Sequence, residues 1–319
     1  MGFPPTLLAS VIVPVRNGRD DVDALLALLA EQTLPQDRWE VVIGDDGSTD
    51  GSCADLPERF GSWVRVAPGP PRNSYAARNR AVHNSRGGVL AFCDADCRPE
   101  PEWLERGLAA LARTDVVAGR IRFSLPERRT VWTLIDMDGS KDHELEVTQG
   151  VAETANLFLR RELFSRVGGF EELVPEYGDF DFVERCVASG AALRYADDVV
   201  VWHPTRNRAR PLLRALWVYN RGYAERESRA GRLPEGLKLR EWVPLVQPIR
   251  ARLRWGRSFG PDRSWLGKND VHPSARETLT ALPIMYVLVP YLRGLAQLRG
   301  WWDGRRFRRA RSQSGLGAT

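Results

Sequence analysis

Residues 92–97 read Phe92-Cys93-Asp94-Ala95-Asp96-Cys97, two carboxylates one residue apart at the end of the apolar run VLAF. Three kinds of site fit that pattern. The flanking thiols could ligate zinc, whose closed sites take four ligands, mostly nitrogen and sulfur. The carboxylates could hold Mg²⁺ or Mn²⁺, hard ions that prefer carboxylate, water and phosphate oxygens. The acids could also form only a solvated turn, in which Asp is a favoured residue. No second cysteine pair or histidine cluster accompanies Cys93 and Cys97, which weighs against zinc. In the hard-ion reading one acid ligates the ion while the other holds a water or a ribose hydroxyl.

Such acids need rigid elements to aim them. Residues 7–15, LLASVIVPV, form an unbroken apolar run, as expected of a strand buried on both faces of a parallel sheet. Asp20 and Asp21 offer an N-cap for a helix carrying Val22, Leu25, Leu26 and Leu29 at helical spacing. Pro35 stops it. A second strand, WEVVIG, ends at the turn-forming Asp45-Asp46-Gly47-Ser48, and a third, WVRVA, precedes the Pro/Gly-rich residues 68–71. Residues 75–85 read as a helix stopped by Gly87-Gly88, and VLAF is the fourth strand. Pro99 and Glu100 then open a helix, and VVAGRIRF is a fifth strand. This alternation predicts an α/β fold, a mostly parallel sheet with helices on both faces. Ligands of such sheets sit beyond the carboxyl ends of the strands, where both acid pairs fall. Residues 124–150 read as a polar, irregular flap.

Length and charge divide the chain. Its 319 residues suffice for a large core with a smaller appendage. The 43% hydrophobic and 27% charged content is that of a soluble globular protein. Four cysteines show no paired framework and the start MGFPPTLLAS lacks a basic leader. Reduced thiols and a cytoplasmic location are therefore expected. Residues 204–319 carry 24 Lys and Arg against 8 Asp and Glu, while the rest of the chain carries 22 against 33. An acidic front half does not suggest a nucleic-acid partner. A basic, helical tail with Trp217, Trp242, Trp255, Trp265, Trp301 and Trp302 points to an anionic surface, the inner leaflet of a membrane, met peripherally. The apolar residues 279–292 hold two prolines and fall short of the roughly 20 needed to span a bilayer. The expected division is residues 1–205 and residues 206–319.

The order PVRN (14–17), GDDGSTD (44–50), AARN (76–79), DAD (94–96), TANLF (154–158), VGGF (167–170), GDFDFVER (178–185) and VVWHPTR (200–206) resembles the family-2 glycosyltransferases of the GT-A fold. The resemblance covers roughly residues 9–206 and leaves the tail out. It implies a metal-dependent, inverting transfer of a sugar from a nucleoside-diphosphate donor to a hydroxyl of a glycan or lipid-linked acceptor. Pro14 and Arg16 would line the nucleotide pocket, Asp46 would bind the base, and Arg72 or Arg78 would lie near base or phosphates. Asp94 would meet the ribose. Asp96 would ligate the divalent cation, Mn²⁺ or Mg²⁺, with His203 completing the metal or pyrophosphate site and Arg206 close by. Asn156 would touch sugar or acceptor, or serve only a turn. Asp179 would be the general base. Relatives often carry Glu-Asp where this chain reads Gly178-Asp179, and Asp181 is the competing base. A sugar-phosphate nucleotidyltransferase would need a glycine-rich phosphate loop after the first strand, where PVRNGRDD has one glycine. A non-catalytic sugar-binding protein on the same fold is the other alternative.

Overall fold

Val11 and Val13 point to one side of their strand, Ile12 points to the other, and all three are fully buried. The run is covered on both faces, as its unbroken apolar character requires. The computed structural model describes residues 7–137, 142–173, 177–234, 237 and 271–313. In chain order its strands and helices are β1 (Ala9–Val15), α1 (Arg19–Leu29), β2 (Trp39–Asp45), α2 (Leu56–Phe60), β3 (Val64–Pro68), α3 (Ser74–His83), β4 (Val89–Cys93), β5 (Arg98–Pro99), α4 (Trp103–Leu111), β6 (Val116–Ser124), α5 (Val131–Met137), α6 (His143–Thr148), β7 (Asn156–Arg160), α7 (Arg161–Val167), α8 (Gly178–Ala188), β8 (Leu193–Pro204), α9 (Ala209–Arg229), α10 (Ala275–Pro283) and α11 (Val289–Gln313).

The chain divides into two units. The first holds Met1–Ser124, Lys141–Leu173 and Gly178–Pro204; the second holds Leu125–Ser140, Val174–Tyr177 and Thr205–Thr319. Residues 125–140 and 174–177 thus join the second unit, a division finer than the single cut after residue 205 expected from sequence.

The first unit is built on an eight-stranded sheet of order β3-β2-β1-β4-β7-β6-β8-β5. Strands β1 to β4 run parallel, β7 runs antiparallel between β4 and β6, β8 lies parallel to β6, and β5 is antiparallel to β8. On one face Leu25, Leu26 and Leu29 of α1 and Trp103 and Leu104 of α4 cover Val11, Val41 and Phe158. On the other, Tyr75 of α3, Phe164 of α7 and Phe182 of α8 cover Ile12, Val42 and Phe92. Burying each such aliphatic or aromatic side chain is worth about 1.5–3 kcal/mol. Gly44 lets α3 lie directly on β2, since a Cβ there would fall 2.2 Å from the Ala77 carbonyl oxygen.

Three local expectations are corrected. Gly18, in the left-handed region at φ 92°, takes the N-cap of α1, and Asp20 and Asp21 stand in its first turn, where acids favour the positive helix end. Pro99 belongs to the edge strand β5 instead of a helix, and α4 begins only at Trp103; an edge position tolerates the missing amide proton. Residues 124–150 are no irregular flap, for they contain α5 and α6. The buried Leu134, Ile135 and Met137 give α5 its apolar face.

In the second unit Ile135, Leu212, Ala281, Met285 and Val289 form a core. Helix α10 starts from a capping box, with Ser274 and Glu277 satisfying each other's backbone amides. A π-helical turn, Ile284–Leu288, joins it to α11. Trp242, Trp255 and Trp265 lie outside the described residues. No helix among the described residues is long and apolar enough to cross a membrane.

Candidate active site

The turn after β4 carries the two acids, closed by a hydrogen bond from the Cys97 amide to the Asp94 carbonyl at 3.1 Å. The chain then enters β5, whose Arg98 and Pro99 pair with Trp202 and Val201 of β8. That pairing brings the next residue of β8 onto the turn: His203 Nε2 lies 3.6 Å from Asp96 Oδ1. A β-bulge helps to set the register. Gly119 pairs with Ala196 but Arg120 with Val200, so β8 slips forward before delivering its histidine. His203 Nδ1 lies 2.9 Å from the Pro204 carbonyl oxygen. A carbonyl only accepts, so Nδ1 carries the proton of that bond, and Nε2 is the ring nitrogen turned toward Asp96.

Cys97 completes a group with Asp96 and His203 in which one potential ligand atom from each lies within 4.8 Å of the others. Its thiol is pushed well above the usual range by the Cys93 sulfur beside it, and then by burial. Without a metal it stays protonated, so the donors that need no deprotonation to bind an ion are a carboxylate and an imidazole. This set fits a hard divalent ion better than zinc, which prefers thiolates. Cys93 and Cys97 are both fully buried.

A second cluster adjoins the same turn. Arg78 of α3 donates to Asp94 Oδ1 at 2.6 Å. Its Nε is buried without a hydrogen-bond partner. Asp179, half-buried in the first turn of α8, accepts from the Tyr75 hydroxyl at 3.4 Å and from the Phe180 amide at 3.0 Å. Burial, then the negative charge of Glu153, lifts its carboxyl to about 6, against the opposing pull of Arg78. Asp181, by contrast, is spent on Arg185 at 2.9 Å, one helical turn on. Arg185 in turn caps the Val167 and Gly169 carbonyls.

The ends of β1 and β2 form the third part. Buried Asp46 accepts from the Arg72 amide at 2.7 Å, and Arg16 Nη1 stands 3.9 Å from its other oxygen. Pro14 pairs with Gly44 in β2. The remaining motif residues frame this edge. The Asn17 amide donates to Ser48 Oγ, the Gly18 amide to Asp50, and the Thr49 amide to Asn17 Oδ1. Asn79 binds both backbone groups of Phe170, which explains why AARN and VGGF occur together. The exposed Arg72 guanidinium reaches Glu172 at 2.6 Å.

Two expected residues are engaged in bonds within their own units. Asn156 is fully buried. Its oxygen accepts from Trp103 Nε1, and its amide protons go to the Arg120 and Val199 carbonyls. Asn156 therefore ties β7 to β6 and β8, which corrects the expectation that it meets sugar or acceptor. Arg206 belongs to the second unit, where buried Asp136 holds its amide at 2.7 Å and its guanidinium at 3.0 Å. Sequence reasoning missed Tyr75, Glu153 and Glu172. Only Tyr75 carried a readable signal, standing three residues before Arg78 and so on the same helical face.

The Glycosyl transferase family 2 model matches residues 10–168. Glycosyltransferase AglE of Haloferax volcanii is 32% identical over 203 residues, covering 62% of this chain and 67% of that protein. The pre-mycofactocin glycosyltransferase of Mycobacterium tuberculosis is 28% identical over 214 residues, covering 63% of this chain and 43% of its own. The chain thus spans two thirds of the first relative and well under half of the second. Among solved structures, a Pyrobaculum calidifontis mannosyltransferase in complex with GDP-Man and Mn²⁺ superposes with TM-score 0.60 at 18% identity, covering 94% of this chain and 88% of that one. Staphylococcus aureus TarS superposes at 0.51 with 17% identity, covering 94% and 55%. The fold is that of the GT-A glycosyltransferases. By family model and by relative, the chain belongs to glycosyl transferase family 2 and is a glycosyltransferase.

Proposed function

We propose that the chain moves a sugar, with inversion, from a nucleoside-diphosphate donor to a hydroxyl of a glycan or lipid-linked acceptor in the cytoplasm. The observation that carries this reading is Asp179. It is a carboxyl raised to about 6 by burial, beside an arginine that holds the first acid of the Asp-Ala-Asp turn. A base with that proton affinity is ionised at neutral pH yet takes up a proton more readily than an ordinary aspartate.

Each part of the reaction has its residues. Asp46, Pro14 and Arg16 hold the nucleoside, and Asp94 meets the ribose. Arg72 and Arg78 stand by for base and phosphates, and the unspent Nε of Arg78 is a buried donor for a phosphate oxygen. Asp96 and His203 would hold a divalent cation, Mn²⁺ or Mg²⁺. When bound, that cation stabilises the charge growing on the leaving diphosphate. Asp179 accepts the proton of the attacking hydroxyl. Single displacement needs only that one base and inverts the anomeric carbon, whereas double displacement needs a carboxylate nucleophile as well. Asp94 is held by Arg78 and Asp181 by Arg185, so neither is a ready nucleophile. The mannosyltransferase complex with GDP-Man and Mn²⁺ suggests the first donor class to test.

The test is a thermal-shift screen of nucleoside diphosphates with and without Mn²⁺, followed by transfer assays with the stabilising nucleotide's sugars. Stabilisation by one nucleoside diphosphate is expected, with an enhancement by Mn²⁺ that Asp96→Ala abolishes. No response to any of them would overturn the reading.

A further inference from the structure

Among the described residues, the helical segment from α10 through α11 has one face packed and one face exposed. The packed face lies on α9 within the same unit. A Cβ on Gly300 would fall 2.0 Å from the Arg221 carbonyl oxygen, and one on Gly304 would fall 2.6 Å from that of Glu225. Ser228 Oγ donates to the Trp301 carbonyl at 2.9 Å, and Arg221 pairs with Asp303 at 3.0 Å. The two backbones are therefore in contact, and glycine is the residue that allows it.

The other face carries Val287, Leu288, Tyr291, Leu295, Leu298 and Trp302, each 39–54% exposed. From Leu288 to Trp302 their spacing of three and four residues places them in one stripe, which Val287 extends, about 24 Å long at 1.5 Å per residue. Large apolar residues scattered singly over a surface are ordinary, but six in register on one helix mark an interaction surface. The stripe is accompanied by arginine. Arg293, Arg299, Arg306 and Arg308 are all exposed on this helix. Its single acid, Asp303, is taken by Arg221 and Arg299.

We propose that this stripe is a membrane-docking surface whose partner is an anionic phospholipid leaflet. The helix lies flat, its apolar face entering the acyl boundary by about 5–10 Å while long arginine side chains reach the headgroups. Charge favours lipid over a second copy of the chain, since self-pairing through this face would bring Arg299 and Arg306, which lie seven residues apart along its edge, against their own copies. The surface deepens the proposed function by supplying a reason to expect a lipid-linked acceptor. It stands on its own geometry, however, and is tested without catalysis.

The test is flotation of the full chain with vesicles of phosphatidylcholine alone or mixed with phosphatidylglycerol. Beside it run a triple variant, Tyr291→Ser, Leu295→Ser and Trp302→Ser, and a charge variant, Arg306→Glu and Arg308→Glu. All five positions are exposed and outside the core, and circular dichroism and nucleoside-diphosphate thermal shift report retained fold and donor site. The full chain is expected to float only with anionic vesicles, less so at high salt. Each variant should lose at least tenfold in partitioning. Wild-type chain that stays in solution, or a triple variant that floats as well as wild type, overturns the proposal. So does a wild-type dimer in sedimentation that the triple variant converts to monomer. Failure of the nucleotide screen with vesicle binding intact would refute the catalytic reading alone.

Discussion

Tyr75 holds Asp179 from two directions. Its hydroxyl lies 3.4 Å from Asp179 Oδ1, and its ring lies so close over Gly178 that a Cβ there would come within 2.8 Å of it. Helix α3, which also supplies Arg78, thus orients the proposed base and requires glycine before it.

Tyr75→Phe removes a hydrogen bond that favours the charged carboxylate. Such a bond is worth about 0.5–1.5 kcal/mol. The acidic limb of kcat/KM against pH should therefore move up by roughly half to one unit. An unmoved limb would deny the tyrosine any role in tuning the base.

Asp179→Asn separates chemistry from binding. Loss of a general base costs about 10²–10⁴-fold in kcat, with nucleoside-diphosphate affinity retained. Equal loss of both would count against the base assignment.

The same substitution has a stability signature. The folded proton affinity of Asp179, about 6, lies above the ordinary value of 3.8. A raised affinity stabilises the fold below about pH 4, and that contribution is lost as pH rises through about 6. At neutral pH the wild type therefore carries a burden that the amide does not, up to about 3 kcal/mol. Urea unfolding should find Asp179→Asn the more stable protein at neutral pH, with the gap closing as the solution is acidified. A gap independent of pH would contradict the burial of the charge.

Asp96→Ala and His203→Ala should each abolish the extra protection that Mn²⁺ gives to a bound nucleoside diphosphate. At high multiples of the dissociation constant, ligand protection is roughly 3–4 kcal/mol. The measurement is thermal shift with and without the ion, and Asp179→Asn serves as the control that keeps it.

Asn156→Ala should act on stability. It strips the acceptor from Trp103 Nε1 and the donors from two buried carbonyls, a cost of about 2–4 kcal/mol. The folded variant should keep the donor KM of the wild type. A raised KM with unchanged stability would restore Asn156 to the donor site.

Much of the first unit follows from local pattern. Apolar runs such as residues 9–15 can bury both faces only inside a covered sheet, and strands that alternate with helices come out mostly parallel. The acids Asp46, Asp94 and Asp96 end strands or follow them, so their place at the carboxyl edge needed no tertiary information. The i,i+4 pairing of Asp181 with Arg185 was likewise a matter of helical spacing.

Other features were settled only by the packed chain. Asp96 meets His203 because the two-residue strand β5 pairs with the end of β8 after a bulge. Neither so short a strand nor a register slip leaves a periodic trace in sequence. Asn156 reads like a ligand in TANLF, yet its three partners come from Trp103, Arg120 and Val199, far apart in the chain. The helices within residues 124–150 and the exposed stripe of α11 likewise depend on which faces neighbouring elements cover. Local sequence determines which residues can be buried or can do chemistry; only long-range pairing decides which of them meet.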